Sequence, residues 1–158
     1  MSTPEFVLSL REKIGHEQLW LAGVTAVVAR GDDVLLVRRS DTGAWTPVTG
    51  IVDPGENPAD AAVRETLEEA GLEVTAERLA AVGVTDEIVY GNGDRARYLD
   101  HTFVMGYRSG EPFPADGENT EARWFPVGAL PEMSPEMRGR LDAALSHETA
   151  ARFGVGPA

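Results

Sequence analysis

The stretch "LAGVTAVVARGDDVLLVRR", residues 21–39, most constrains the fold, because two runs rich in valine and leucine meet at Gly31-Asp32-Asp33. β-Branched side chains are stiff at χ1 and pack well on a pleated surface, and a glycine-aspartate turn between two such runs is a hairpin signal. The body of the chain therefore opens with an antiparallel pair. Further strands are expected at 45–48, 79–85, 87–90, 98–107 and 122–127, with "GNGDR" reversing the chain between the third and fourth of these.

Two helices interrupt the strands. The first is announced by Asn57 as N-cap, Pro58 at N1 and Asp60 in the first turn, and Gly71 closes it at C′. The second follows Ser134-Pro135 and sets Met137, Leu141, Ala144 and Leu145 at helical spacing. Strand runs with scattered helices predict a mixed sheet packed against helices, an α+β or α/β sandwich. A length of 158 residues suits one domain, set at 1–150. Residues 1–18, with Leu10 and Ile14 four apart, read as a helical extension, and 151–158 as a flexible tail.

Charge narrows the partners. Fourteen basic residues against 26 acidic ones give a net charge of −12, which opposes tracking a nucleic-acid polymer or an anionic membrane. Small phosphorylated molecules stay open, since a divalent cation held by carboxylates reverses the local field. The absence of cysteine removes disulfides, thiolate metal sites and thiol nucleophiles. No long apolar run and no basic leader occur, so a soluble cytoplasmic protein is the expectation.

The first helix crowds its acids. At about 100° per residue, Glu65, Glu68 and Glu69 fall on one face, while Val63, Leu67 and Ala70 cluster opposite. Ala61 and Ala62, one turn earlier, leave a gap that would admit a ligand. A solvated helix face is one explanation, helped by Arg64 lying four residues from both Asp60 and Glu68. A hard cation is the other, because Mg²⁺ takes oxygen ligands from few carboxylates and leaves positions for water and phosphate. Zinc fits less well, since His16, His101 and His147 are scattered.

Residues 50–72, "GIVDPGENPADAAVRETLEEAGL", resemble the signature of the Nudix hydrolases, the MutT-like family. Gly50, Glu56, Arg64-Glu65, Leu67, Glu68-Glu69, Gly71 and Leu72 stand at the family's spacing, and only Thr66 departs, at a place that is usually aliphatic. The resemblance implies an α/β/α sandwich around a mixed sheet. It also implies hydrolysis of a pyrophosphate bond in a nucleoside diphosphate linked to another moiety, with Mg²⁺ or Mn²⁺. Carried over by position, Glu65, Glu68 and Glu69 become metal ligands or the base beside them, the Gly50 carbonyl a further ligand, and Arg64 and Glu56 positioning residues. Glu118 is the candidate outside the motif for an additional metal ligand, with Glu121 second. The resemblance also favours a homodimer.

Substrate choice is less legible. A nucleoside triphosphate, oxidised ones included, is the favoured substrate, and ADP-ribose or another nucleotide sugar is the alternative. A non-catalytic nucleotide-binding module and an acidic interaction domain are the readings of a different class. Alternation sets Leu99, His101, Phe103, Met105 and Tyr107 on one strand face, more in keeping with core than with a base pocket. Trp20, Trp45 and Trp124 are read as core, and Arg95 and Arg97 as turn residues within reach of phosphate.

Overall fold

The computed structural model describes residues 3–154. In chain order these form α1 (Glu5–Ile14), β1 (Leu19–Arg30), β2 (Asp33–Arg39), β3 (Trp45–Thr46), β4 (Val48–Ile51), α2 (Pro58–Ala70), β5 (Glu73–Val84), β6 (Ile88–Val89), β7 (Arg95–Ser109), β8 (Asn119–Pro126), α3 (Pro135–Leu145) and β9 (Arg152–Phe153). The strands join in one mixed sheet with the path β3-β2-β1-β7-β5-β9, to which β4 adds on β1, β6 on β7 and β8 on β2. The long β1–β7 pair is parallel, as is the short β5–β9 pair, whereas β2 and β4 run antiparallel to β1 and β5 antiparallel to β7.

Side-chain alternation along β1 divides the interior into two cores. Val24, Ala26 and Val28 pack with Ala61, Ala62 and Ala70 of α2. Val27, on the other face, packs with Leu141, Ala143 and Ala144 of α3. Leu19 and Leu21 share that second face and receive Phe6 and Val7 of α1. Helices thus cover both faces of the sheet, the α/β sandwich the sequence predicts. Beneath α3, Arg140 meets Asp100 at 3.4 Å and donates to Thr25 Oγ1 at 3.0 Å, while Thr25 and Thr102 both donate to Asp100. Every charge in this buried knot has a partner, which such burial demands. No helix among the described residues is long and apolar enough to cross a membrane.

Several local expectations are refined. The strand expected at 45–48 is split at Pro47, where the missing N–H breaks the ladder: β3 pairs with β2 and β4 with β1. Ser134 caps α3 through a 3.2 Å bond from Met137 N–H to its Oγ. Asn57 precedes α2 as predicted, but its amide donates to Asp60 Oδ2 instead of accepting from the helix backbone. Arg152 and Phe153, within the stretch read as a flexible tail, form β9 against Ala81 and Val82; residues 155–158 lie outside the described residues. Trp20, read as core, is exposed, whereas Trp45 and Trp124 are half-buried.

Candidate active site

The motif helix turns two of its acids inward. Glu65 is 0% exposed and Glu69 2%, alongside buried Ala61, Ala62, Thr66 and Ala70, while Leu67, expected on the apolar face, is 53% exposed. The expectation is corrected for a steric reason. A helix that must approach a sheet closely does so through its smallest residues, and here Ala61 and Ala62 meet the sheet directly, filling the gap expected to admit a ligand. Gly50 on β4 completes the approach: a Cβ there would sit 2.2 Å from the Glu65 carboxyl carbon.

Arg64 organises the polar rim. It grips Glu56 with two bonds of 2.8 and 2.9 Å, donates to Glu65 Oε1 at 2.9 Å and Glu68 Oε2 at 3.3 Å, and holds the Ile51 carbonyl at 3.1 Å. That bidentate grip is the chief reason Glu56 is held below the usual carboxylate range. Glu68, with a side chain 40% exposed, stays at the solvent edge. The structure therefore brings Glu65 and Glu69 into the interior, Glu65 against Gly50, and leaves Glu68 at the rim with Arg64.

The C-terminus of α2 recruits the second half of the site. Gly71 takes φ 69°, a left-handed geometry that ends the helix, and the Phe113 ring packs where a side chain would stand. Phe113 N–H then donates to the Ala70 carbonyl and Ala115 N–H to the Glu69 carbonyl, satisfying acceptors that a helix end leaves open. This docking carries residues 116–119 to the carboxylates. Asn119 Nδ2 donates to Glu69 Oε2 at 3.0 Å, and both the Ser40 N–H and the Ser40 hydroxyl donate to the Glu118 carbonyl. Glu118 acts on Glu69 electrostatically. Glu121, the second candidate, instead pairs with Arg38 and Arg123 on the strand surface. Asn119 and Arg39, neither picked out in the sequence, also belong here: Arg39 feels both Glu69 and Glu118 and forms a two-bond pair with Asp41. Asn119 stood next to Glu118 in "ENTEARWF", whereas nothing in the sequence distinguished Arg39.

Burial sets the electrostatics. It pushes Glu65 up to about 8, against the opposing pull of Arg64, and Glu69 up to about 7, against the bond from Asn119. A carboxyl whose folded value exceeds its unfolded one lends stability in full below about 4.5 and loses it as pH climbs towards the folded value. The metal-free protein is therefore expected to lose stability steadily from about pH 5 to about pH 8, and Glu65→Gln to flatten that slope. Denaturant titration at several pH values in the presence of a chelator checks this, and equal slopes for both proteins would contradict it.

Among the described residues no three carboxylate or imidazole groups close around a common point. The donor set nevertheless suits a hard divalent cation. Glu65 Oε2 is buried without a hydrogen-bond partner among the described residues, as is Asn119 Oδ1, and each is an oxygen of the kind Mg²⁺ prefers. Gly50, Glu69, Glu118 and Arg39 line one end of a cleft of about 810 Å³ that continues across the sheet towards α1 and α3. Its other end is lined by Val7, Arg11, Tyr90 and Tyr98. The strand face 99–107 does not build it: Phe103, Met105 and Tyr107 pack in the core on the α2 side, and His101 Nδ1 lies 3.0 Å from the Gly23 carbonyl.

Comparison with known proteins agrees with this architecture. Residues 20–145 match the NUDIX domain. The chain is 33% identical over 134 residues to the NAD-capped RNA hydrolase NudC of Pseudomonas fluorescens, an overlap of 81% of this chain and 44% of that protein. It thus spans less than half the length of this curated relative. Among solved structures it resembles an ADP-ribose pyrophosphatase of Streptococcus suis, with TM-score 0.65, 24% identity and coverage of 84% and 98% of the two chains. It also resembles a MutT NUDIX hydrolase of Burkholderia pseudomallei, with TM-score 0.59, 24% identity and coverage of 79% and 98%. With four-fifths of its length in the family match and the motif of residues 50–72 built into a cleft, the chain belongs to the NUDIX family of hydrolases.

Proposed function

We propose that the protein is a Mg²⁺-dependent diphosphohydrolase that cleaves the pyrophosphate bond of a nucleoside diphosphate linked to another group. The main support is the buried pair Glu65 and Glu69, of which Glu65 packs against Gly50 and keeps its Oε2 without a hydrogen-bond partner among the described residues. Members of the family typically use divalent metals, and a cation held by Glu65, Glu68, Glu69, the Gly50 carbonyl and Glu118 would neutralise phosphate charge and acidify water. Mn²⁺ is a candidate substitute. The chain's own residues supply the rest. Arg64 orients Glu65 and Glu68 through direct bonds, Asn119 orients Glu69, and a carboxylate at this end of the cleft accepts the proton of the attacking water. Glu118 contributes there through its side chain, so Glu118→Gln is expected to lower kcat by about tenfold or more, and Glu121→Gln to stay within about twofold of wild type. Steady-state rates of the two variants decide between them.

Two substrate classes follow from this chemistry. A nucleoside triphosphate would yield pyrophosphate and a monophosphate, whereas a linked diphosphate such as ADP-ribose, NAD or another dinucleotide would yield two monophosphates. The 33% identity to a hydrolase named for NAD-capped RNA favours the linked class. The net charge of −12 favours a small nucleotide over an RNA polymer as substrate. Product identification after incubation with Mg²⁺ and a panel of triphosphates, nucleotide sugars and dinucleotides tests both readings. Absence of metal-dependent hydrolysis across the panel would leave a nucleotide-binding module or an acidic interaction domain.

A further inference from the structure

The helix α1 precedes residues 20–145 that match the NUDIX domain, yet it forms part of the cleft wall through Val7 and Arg11. The Arg11 side chain is 12% exposed, and its guanidinium acts as a tie between two segments. Nη2 donates to the Arg95 carbonyl at 2.7 Å, Nη1 donates to the Glu17 and Gly15 carbonyls, and Nε lies 3.5 Å from Asp94 Oδ2. His16 Nδ1 lies 2.7 Å from Asp94 Oδ1, a second link from the segment after α1 to the same turn. That turn, residues 90–94, is closed by bonds from Tyr90 N–H to the Asp94 carbonyl and from Gly93 N–H to the Tyr90 carbonyl. Tyr90 then presents its hydroxyl to that of Tyr98 at 2.6 Å. Contacts therefore run unbroken from Arg11 through the turn to a pair of phenols on the cleft wall.

The two ends of the cleft differ in chemistry. The end at Gly50, Glu69, Glu118 and Arg39 is charged. The end at Val7, Leu21 and the two tyrosines adds apolar and aromatic walls, with hydroxyl groups and the paired side chains of Arg11 and Asp94 beside them. Such a surface suits a planar heterocycle, which gains from aromatic contact and a few hydrogen bonds, better than it suits phosphate or a cation. We propose that α1 and the turn 90–94 form the nucleoside-side subsite of the cleft, and that Arg11 is a positioning residue that holds Tyr90 and Tyr98 where they receive the planar base. The proposal rests on the diphosphohydrolase reading, and its test separates the two.

Steady-state kinetics on the best substrate of the panel, equilibrium binding of AMP, GMP, CMP and UMP, and binding of inorganic pyrophosphate with Mg²⁺ are measured for wild type, Arg11→Ala and Arg11→Lys. Arg11→Ala is expected to raise KM and weaken binding of the preferred monophosphate by about tenfold, with kcat within about twofold. Pyrophosphate binding should stay at the wild-type value, and Arg11→Lys should recover part of the loss. A wild-type KM in Arg11→Ala, or equal weakening of monophosphate and pyrophosphate, would overturn the proposal while leaving the hydrolase reading intact. If Arg11→Ala does not fold, Tyr90→Ala replaces it with the same expected split. Should wild type hydrolyse nothing on the panel, the hydrolase reading fails and the subsite is judged by monophosphate binding alone; failure of wild type to bind any of the four overturns it.

Discussion

Glu69→Gln is expected to lower kcat by about a thousandfold while the protein folds normally. Glutamine keeps the volume of the side chain, and its amide oxygen still accepts the bond from Asn119 Nδ2 that now reaches Glu69 Oε2. What it loses is the negative charge. Burial and the neighbouring acids Glu118 and Asp116 already push the Glu69 carboxyl up to about 7, so a neutral side chain fits this environment at no electrostatic cost. The metal-free variant should therefore melt at or above the wild-type temperature. Mg²⁺ should raise the melting temperature of wild type, since a ligand that binds only the native state stabilises it, and raise that of Glu69→Gln little. Turnover near the wild-type rate would remove Glu69 from the catalytic set. A variant that loses activity and unfolds together would show a structural role instead.

Gly50→Ala is expected to cost both stability and activity. The added Cβ would stand 2.2 Å from Cδ and 2.3 Å from Cγ of Glu65, inside any tolerated contact. Relief requires either that β4 move away from α2 or that Glu65 leave its place under Arg64. Overpacking of this kind costs about 1–3 kcal/mol. Displacing a carboxylate of the site by an ångström is expected to lower kcat/KM by about a hundredfold. Denaturant unfolding and steady-state kinetics read the two effects separately. Full activity would mean that neither Gly50 nor the position of Glu65 matters to the reaction. Gly50 is not in a left-handed conformation, so close approach, not backbone freedom, is the reason for glycine at this position.

The elements that local chemistry controls were legible. Gly31-Asp32-Asp33 turns β1 into β2, with Arg30 opposite Asp33. Pro58 and Gly71 bound α2, and Ser134-Pro135 opens α3. Each depends on backbone geometry within a few residues. The start of β5 was not read as a strand, because in Glu73 to Arg78 only Val74 and the small Ala76 alternate with polar residues; its place as a strand comes from pairing with β7 through three irregularities in register. β9 was missed for the same reason, since only Ala81 and Val82 give Arg152 and Phe153 a partner.

The motif of residues 50–72 named the carboxylates and the helix that carries them, because their spacing is a property of the chain alone. Which of them enter the interior was decided by packing. Hydrophobicity along α2 pointed Val63, Leu67 and Ala70 inward; Ala70 is buried and Val63 packs against the core, but Leu67 is exposed, because small Ala61, Ala62 and Gly50 allow the closest contact and Glu65 and Glu69 are buried with them. Their burial is sustained by Arg64 and by Asn119, the latter 50 residues away in sequence. The sequence by itself thus determined the helix, its limits and the kind of chemistry its side chains carry. Only the tertiary structure decided which acids are desolvated, that Glu118 and not Glu121 lines the cleft beside Glu69, and that Arg11 and Tyr90 line the same cleft. Those outcomes depend on contacts between segments distant in the chain, which no local pattern records.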